Sequence, residues 1–279
     1  MEPLLSNLGK KILLAAHRGA SGGNIPCNTL AAYEIALRQG ADMLETDVDI
    51  SSDGVLVVFH PEMEPNHLCL RGKLLTELTH REIKELRYVN YDNTPTQFGI
   101  PDFDDFLEQF KDRCYINVDK FWGNPEAIYR AIKRHGMTEQ IVVKSAPDEK
   151  VFRVLTDLAP DLAYLPIVKR EHPLHRRLSD AGIRYVGAEV LFDTDDDPVC
   201  SPDFISMMHR EGKLVWGNAI IYNYREQLSA GPSDDTSLCE DPALGWGWLA
   251  DRGFDIIQTD WTLMAAEYLD RTGRRKRNG

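Results

Sequence analysis

The chain has 279 residues and a formal net charge of −12, with 43% hydrophobic and 27% charged residues. This length and composition fit one large soluble domain, so we expect residues 1–279 to form a single domain. The acidic balance argues against nucleic-acid binding, because no strong basic field attracts phosphates. No apolar run approaches membrane-spanning length, which predicts no stable membrane insertion.

The five cysteines are widely spaced and include no C-x-x-C pair. We therefore expect reduced thiols in a cytoplasmic protein and no zinc site. The first residues, Met1–Leu4, lack the basic start and apolar core of a signal peptide. Two acidic clusters, residues 193–197 and 233–241, are interpreted as solvated loops. The sequence leaves the oligomeric state open.

A strand–helix–strand pattern lies near the start of the chain. Residues 12–16 form a short apolar run that predicts a buried strand, and His17 stands at its end. Residues 29–39 carry apolar side chains at helical spacing, and Gly40 predicts the end of that helix. A second strand is predicted over residues 43–48. Strand ends are where α/β barrels place their functional sites.

Two carboxylates and a second histidine gather around the second strand. Glu45 and Asp47 are two residues apart and therefore share one face of the strand. The Asp53-Gly54 pair favours a tight hairpin turn, so residues 55–59 are predicted to return antiparallel. The hairpin brings His60 beside both carboxylates, which a crossover helix cannot do in so few residues.

Strand-like runs and helical stretches alternate along the chain, which predicts a parallel barrel or an open α/β sheet. Residues 62–101 show little strand pattern, and the capping box of Thr79 and Glu82 predicts one helix there, over residues 79–88. The predicted barrel strands are residues 12–16, 43–48, 115–119, 141–144, 163–168, 185–190, 214–218 and 255–259.

The order and spacing of these residues resemble a known family. The motifs are His17-Arg18-Gly19, Asn28-Thr29, Glu45-Thr46-Asp47, Asp53-Gly54 and His60, with Gln258-Thr259-Asp260 near the other end. Together they resemble the glycerophosphodiester phosphodiesterase family. The resemblance implies a TIM (β/α)8 barrel with a small insertion after the second strand, here residues 62–101. It also implies hydrolysis of a small-molecule glycerophosphodiester to an alcohol and sn-glycerol 3-phosphate, with a divalent metal.

Phosphodiester hydrolysis requires neutralisation of the charge on the non-bridging oxygens. A hard cation with oxygen ligands meets this need, which favours Mg²⁺ or Ca²⁺ over zinc. Glu45 and Asp47 supply two carboxylates. Asp119, at the end of the third predicted strand, is the expected third ligand, where relatives typically carry Glu. The alternative for Asp119 is a solvated strand end or a salt bridge to Lys120.

His17 and His60 suit the acid and base roles, because imidazole exchanges protons readily near pH 7. The resemblance implies the same two positions. The sequence does not decide which histidine acts first as the base. Arg18 has a fixed fork suited to phosphate oxygens and is expected to bind the diester.

Three departures from the family pattern stand out, two of them near the histidines. Pro61 follows His60 where relatives usually have Asp, so a partner that orients the histidine is missing. Cys27 stands where relatives usually have Glu, and an un-ionised thiol cannot replace a carboxylate. We expect these changes to affect substrate choice and rate more than fold.

The third departure concerns the family lysine, which is displaced by one residue to Lys120. Strand alternation turns Lys120 away from the pocket, unless the strand has already ended. Lys144, at the next strand end, is the candidate to supply the lost positive charge. Both lysines are therefore considered as substrate-binding residues.

Weaker candidates follow the late strands. Trp216 and Trp261 are placed to line a pocket, with packing between strand and helix as the alternative. Glu189 and Asp260 also end strands but have less support as metal ligands. The remaining histidines are interpreted as surface residues: His67, His80, His135, His172, His175 and His209.

Two other functions remain open. A phosphate-binding module with weak or no catalysis is favoured by the three departures, whereas the paired histidines and the carboxylates favour an enzyme. A phospholipase acting on lysophospholipids or phosphoinositides needs an exposed apolar surface near the barrel mouth. Residues 68–75 are a modest candidate for that surface.

Overall fold

The computed structural model of the chain describes residues 2–223 and 226–276. The strands are β1 (Leu13–His17), β2 (Met43–Ile50), β3 (Leu56–Val58), β4 (Tyr115–Asp119), β5 (Ile141–Ser145), β6 (Ala163–Lys169), β7 (Gly187–Leu191), β8 (Leu214–Asn218), β9 (Ile221–Asn223), β10 (Glu226–Gln227) and β11 (Ile256–Thr259). The α-helices are α1 (Leu30–Arg38), α2 (Glu64–His67), α3 (His80–Glu85), α4 (Phe103–Phe110), α5 (Pro125–His135), α6 (Glu149–Arg153), α7 (His175–Asp180), α8 (Pro202–Arg210), α9 (Asp234–Cys239), α10 (Trp248–Arg252) and α11 (Thr262–Arg271). Within these ranges no helix is both long and apolar enough to cross a membrane.

Eight parallel strands form a closed barrel. Their order is β1-β11-β8-β7-β6-β5-β4-β2, and the pairing of β1 with β2 closes the ring. Helices lie between successive strands, so the predicted TIM barrel is confirmed. All eight predicted strands are present, with starts that differ by no more than two residues. The predicted hairpin is confirmed as well, because β3 pairs antiparallel with the end of β2.

Apolar side chains fill both faces of the barrel wall. The outer face packs against the helices in the largest core cluster. Inside the barrel, a second cluster fills the lower part, and Leu4 from the N-terminal segment joins it. Strand alternation then points His17, Glu45 and Asn117 into the upper part of the barrel. These three polar side chains therefore lie above a layer of packed apolar side chains.

Residues 62–101 lie between the hairpin and α4 and have an apolar cluster of their own. Phe59, Leu75, Ile83 and Tyr88 are buried in it. Helix α3 begins after the Thr79 cap, and its capping box is present as predicted. The helix ends three residues earlier than predicted, because the chain turns extended so that Tyr88 packs against Phe59.

A half-buried histidine next to β7 makes stability depend on pH. Burial, and then the charge of His175, lower the pKa of His172 from 6.5 to about 4. Its Nε2 lies 3.0 Å from the Tyr185 hydroxyl. Because the unfolded chain keeps the ordinary pKa, the unfolded state binds the extra proton between pH 6.5 and pH 4.

We therefore expect the neutral His172 to contribute fully to the free energy of unfolding above pH 6.5. That contribution should be lost as the pH falls towards 4. The loss in the free energy of unfolding is about 2–3 kcal/mol. Urea titrations give the free energy of unfolding at pH 4.5 and at pH 7. The difference between these two values should be smaller for His172→Gln than for the native protein. Equal differences would contradict this assignment.

Candidate active site

Three carboxylates converge at the carboxyl end of the barrel. Glu45 and Asp47 project from β2, and Asp119 ends the neighbouring strand β4, where it pairs in register with Asp47. One oxygen from each of the three lies within 4.8 Å of the others. Glu45 and Asp47 are buried, and Asp119 is partly exposed. The predicted ligand set is thus brought together in space.

The electrostatics of these carboxylates fit a bound cation. Asp47 Oδ1 is buried and has no hydrogen-bond partner among the described residues, whereas Asp47 Oδ2 accepts from Asn28 Nδ2 at 2.9 Å. Burial, and then repulsion from Asp47, raise the pKa of Glu45 to about 7. A divalent cation relieves both penalties, and three oxygen ligands are the donor set that Mg²⁺ and Ca²⁺ prefer.

His17 lies at the end of β1, beside Glu45 on β2. Its Nδ1 lies 2.9 Å from Asp260 Oδ1, and a carboxylate oxygen only accepts, so this nitrogen carries a proton. Burial alone lowers the pKa of His17, but the Asp260 hydrogen bond and the charge of Glu45 outweigh it. The pKa therefore lies above its ordinary value, which favours the imidazolium.

His60 follows the hairpin and faces the same carboxylates. Its Nδ1 donates to the Pro61 carbonyl oxygen at 2.7 Å, so Nε2 is the unprotonated nitrogen of the neutral ring. Nε2 lies 4.0 Å from Asp47 Oδ1. Burial, and then the charges of Arg18 and Lys120, lower the pKa of His60, although Asp47 opposes them. The expectation that Pro61 leaves His60 without an orienting partner is wrong, because the backbone carbonyl supplies one.

Arg18 and Asn28 hold the carboxylates from the β1–α1 connection. Both have left-handed backbone conformations, with φ of 55° and 56°. The Arg18 backbone N–H donates to Glu45 Oε2 at 2.9 Å, and its Nε lies 3.0 Å from Asp47 Oδ2. Gly19 has φ of 81°, and a Cβ there would lie 2.7 Å from the Ala32 backbone. This tight turn requires glycine and brings Arg18 over the site.

Lys120 belongs to the site, which the alternation rule did not predict. Strand β4 ends at Asp119, and Lys120 adopts a left-handed conformation with φ of 60°. Its Nζ lies 2.7 Å from Asp119 Oδ2. Burial alone raises the pKa of Asp119, but the charge and hydrogen bond of Lys120 bring it below its ordinary value.

Lys144 lies deeper, inside the barrel. Its Nζ is 2.8 Å from Glu189 Oε2 and 3.9 Å from the centre of the Trp216 ring. Lys144 and Glu189 are each about one-twentieth exposed, at 5%. Trp216 is fully buried beneath them, so it packs in the barrel interior rather than lining an open pocket.

Cys27 and His67 are in contact and lie close enough to Arg18 for its charge to act on both. Cys27 Sγ lies 4.0 Å from His67 Nδ1. Burial raises the pKa of the Cys27 thiol to about 12, so the thiol does not substitute for the carboxylate of relatives. His67 was interpreted as a surface residue, yet it packs edge-on against Tyr88 and Phe59. That interpretation is wrong because residues 62–101 fold over it.

Sequence reasoning missed some contributors to the site. Asp260 was weighed as a metal ligand, but its carboxylate is bound to His17 instead. Asn28 was noted only as part of a motif, although its amide binds Asp47. Trp261, next to Asp260, is half-exposed on the rim of the barrel. Asn28, Asp47 and Asp260 all belong to the motifs that resemble the family. Their place in those motifs was the sequence signal that pointed to a role in the site.

The chain is similar in sequence to known phosphodiesterases. Over 149 residues the chain is 32% identical to a glycerophosphodiester phosphodiesterase of Caldanaerobacter subterraneus, an alignment covering 48% of this chain and 58% of that protein. The chain thus spans little more than half the length of the relatives it matches at this identity. 

Solved structures share the fold. A glycerophosphoryl diester phosphodiesterase of Parabacteroides distasonis superposes with a TM-score of 0.78 at 19% identity, covering 96% of this chain and 91% of that one. A phosphodiesterase of Oleispira antarctica, solved in complex with the product sn-glycerol-3-phosphate, superposes with a TM-score of 0.68 at 20% identity, covering 93% and 97%. Residues 17–261 match the pattern of one family. The chain belongs to the glycerophosphoryl diester phosphodiesterase family.

Proposed function

We propose that this protein hydrolyses glycerophosphodiesters to an alcohol and sn-glycerol 3-phosphate. The observation that carries the proposal is the convergence of two histidines and three carboxylates at one end of the barrel, in a chain of this family. A module that only binds phosphate has no need for two groups positioned for proton transfer. The neighbour from Oleispira antarctica, which holds sn-glycerol-3-phosphate, supports the choice of product.

Glu45, Asp47 and Asp119 are the residues that would hold Mg²⁺ or Ca²⁺. A bound cation of this kind supplies charge neutralisation at the phosphate oxygens. The orphaned Asp47 Oδ1 and the raised pKa of Glu45 support a cation at this position. Arg18 and Lys120 add positive charge on the solvent side, where the diester enters.

The hydrogen bonds of the two histidines support different roles for them, one as the base and one as the acid. His60 presents an unprotonated Nε2 and acts as the base that removes a proton from the attacking water, whose oxygen bonds to phosphorus as the bond to the leaving alcohol oxygen breaks. His17, whose imidazolium is stabilised by Asp260, acts as the acid that protonates the leaving alkoxide. Each ring is held through Nδ1, so Nε2 is the atom that exchanges the proton.

The two lysines are expected to differ in their effects. Lys120→Ala should raise KM for the diester roughly tenfold or more, because it removes a charged contact at the mouth of the site. Lys144→Met should instead destabilise the fold by about 3–5 kcal/mol, because the buried Glu189 loses its cationic partner and keeps a neutral donor, the Asn218 amide. Steady-state kinetics and urea unfolding of both variants check this ranking. A larger KM change for a folded Lys144→Met would reverse it.

We propose that residues 1–279 form one domain and that residues 62–101 are an insertion shaping the substrate pocket. The contact of His67 with Cys27 supports this role. The five cysteines are free, which supports a reducing, cytoplasmic location. Within residues 68–75, Leu68 and Leu75 are buried in the insertion's own core and Leu74 is the exposed leucine, which favours a soluble diester over a lipid substrate.

The decisive substrate experiment is a coupled assay of sn-glycerol 3-phosphate release. Glycerophosphocholine, glycerophosphoethanolamine and glycerophosphoinositol would be compared with lysophosphatidylcholine, each with Mg²⁺ or Ca²⁺. We expect release from the water-soluble diesters. Lysophosphatidylcholine keeps its acyl chain and would give lysophosphatidic acid and choline, so its turnover is followed by choline release. Turnover of lysophosphatidylcholine alone would favour a phospholipase, and binding of glycerol 3-phosphate without any turnover would favour a binding module.

A further inference from the structure

One carboxylate of the second acidic cluster is not solvated. Asp234 is the first residue of α9 and is 3% exposed, whereas Asp235, Glu240 and Asp241 in the same cluster are exposed. The interpretation of residues 233–241 as a solvated loop is therefore wrong for this position. A buried carboxylate needs several donors to offset the loss of water.

Those donors all belong to the end of β11 or to Trp246. Asp234 Oδ2 accepts from the backbone N–H of Asp260 at 2.8 Å. Asp234 Oδ1 accepts from the Thr259 hydroxyl and from Trp246 Nε1, both at 2.7 Å. Asp234 therefore fixes the backbone at the point where β11 ends.

Asp260 in turn binds His17 through its side chain. Asp260 Oδ1 holds His17 Nδ1 at 2.9 Å, yet the Asp260 side chain is 48% exposed. An exposed carboxylate is not held in place by packing, so its position depends on the backbone that carries it. That backbone N–H is the one bound by Asp234.

Asp234 itself is held rigidly. Ser233 caps α9 by accepting from the Thr236 backbone N–H at 3.1 Å. Ser237 Oγ accepts from the Trp246 backbone N–H at 3.0 Å, which fixes the indole against the helix. A Cβ on Gly245 would lie 1.9 Å from Ser237 Oγ, so glycine is required for this approach.

We propose that Asp234 is a positioning residue for the reaction, acting through Asp260 on His17. This inference rests on the proposed function. Asp234 is not one of the three proposed metal ligands and is not one of the two cations, Arg18 and Lys120, that are proposed to bind the phosphate. It therefore acts on proton transfer and leaves substrate binding unchanged.

The test is a double-mutant cycle. Asp234→Asn places an amide N–H against groups that donate, and should lower kcat by about ten- to a hundredfold with KM unchanged. In an Asp260→Ala background the same substitution should change kcat less than about threefold. Asp197→Asn is the matched control, because Asp197 is also buried and binds the backbone N–H groups of Asp193 and Thr194. Among the described residues, its side chain bonds to Arg170, Asp193 and Thr194 and not towards His17, so this variant should leave kcat unchanged.

Trp246→Phe removes one donor to Asp234 and is the second variant if Asp234→Asn does not fold. It should show a smaller kcat loss that likewise disappears in the Asp260→Ala background. Losses that multiply in the double variant, or native kcat in both folded variants, would overturn the proposal. If the native protein shows no turnover, the proposed function fails separately. The NMR signal of the His17 Nδ1 proton then reports whether Asp234→Asn disturbs the His17–Asp260 bond.

Discussion

Replacing either His17 or His60 with alanine is expected to lower kcat by about two to four powers of ten, because each removes one proton transfer. Binding of glycerol 3-phosphate should persist through Arg18, Lys120 and the metal. Since both histidines act in one transition state, the double variant should be little worse than the more damaged single variant.

Stopped assays of glycerol 3-phosphate release and calorimetry of its binding separate the two effects. His135→Ala is the matched control, because His135 ends α5 and its ring is bound to Asp104 of α4, outside the site. Turnover that survives the loss of His60 would mean that this histidine has no catalytic role. Loss of product binding in either variant would mean that the histidines act mainly in binding.

Removal of the metal ligands is expected to have an effect of similar size. Asp47→Asn should abolish detectable metal binding and most turnover, whereas Glu45→Gln should weaken metal affinity and leave the fold intact. Because a bound ion stabilises only the folded state, Mg²⁺ or Ca²⁺ should raise Tm of the native protein and not of Asp47→Asn.

Calorimetric titration with Mg²⁺ and Ca²⁺, together with thermal unfolding, measures this without relying on activity. Asp49→Asn is the matched control, since Asp49 is a buried carboxylate on the same strand and lies outside the cluster of three. Equal metal affinity in Asp47→Asn and the native protein would show that the carboxylates do not hold the ion.

The barrel and the centre of the site were predictable from local patterns. Apolar runs of strand length, the Asp53-Gly54 turn and the spacing of Glu45 and Asp47 are all properties of neighbouring residues. Strand ends of a parallel barrel meet at one face, so His17 and Asp119 follow once the strands are known.

The features that escaped prediction depend on the last residue of a strand or on distant packing. Lys120 was predicted as a substrate-binding residue, but strand alternation did not give its direction: it lies beside Asp119 because β4 ends one residue before it and the backbone becomes left-handed there. His67 is half-buried because the fold of the insertion packs its ring against Tyr88. Asp234 accepts a hydrogen bond from the Asp260 backbone N–H, 26 residues away in sequence, and the spacing of apolar residues does not predict such a contact. Such contacts require the positions of segments that are far apart in sequence.

The most direct test of the central claim is the initial rate of sn-glycerol 3-phosphate release from glycerophosphodiesters, measured with Mg²⁺ or Ca²⁺ and again in excess chelator. The site described here predicts turnover with the metal, loss of that turnover in chelator, and recovery when the metal is restored. Full turnover in excess chelator would contradict a catalytic metal held by Glu45, Asp47 and Asp119. The absence of turnover with either metal on every diester would contradict the proposed phosphodiesterase.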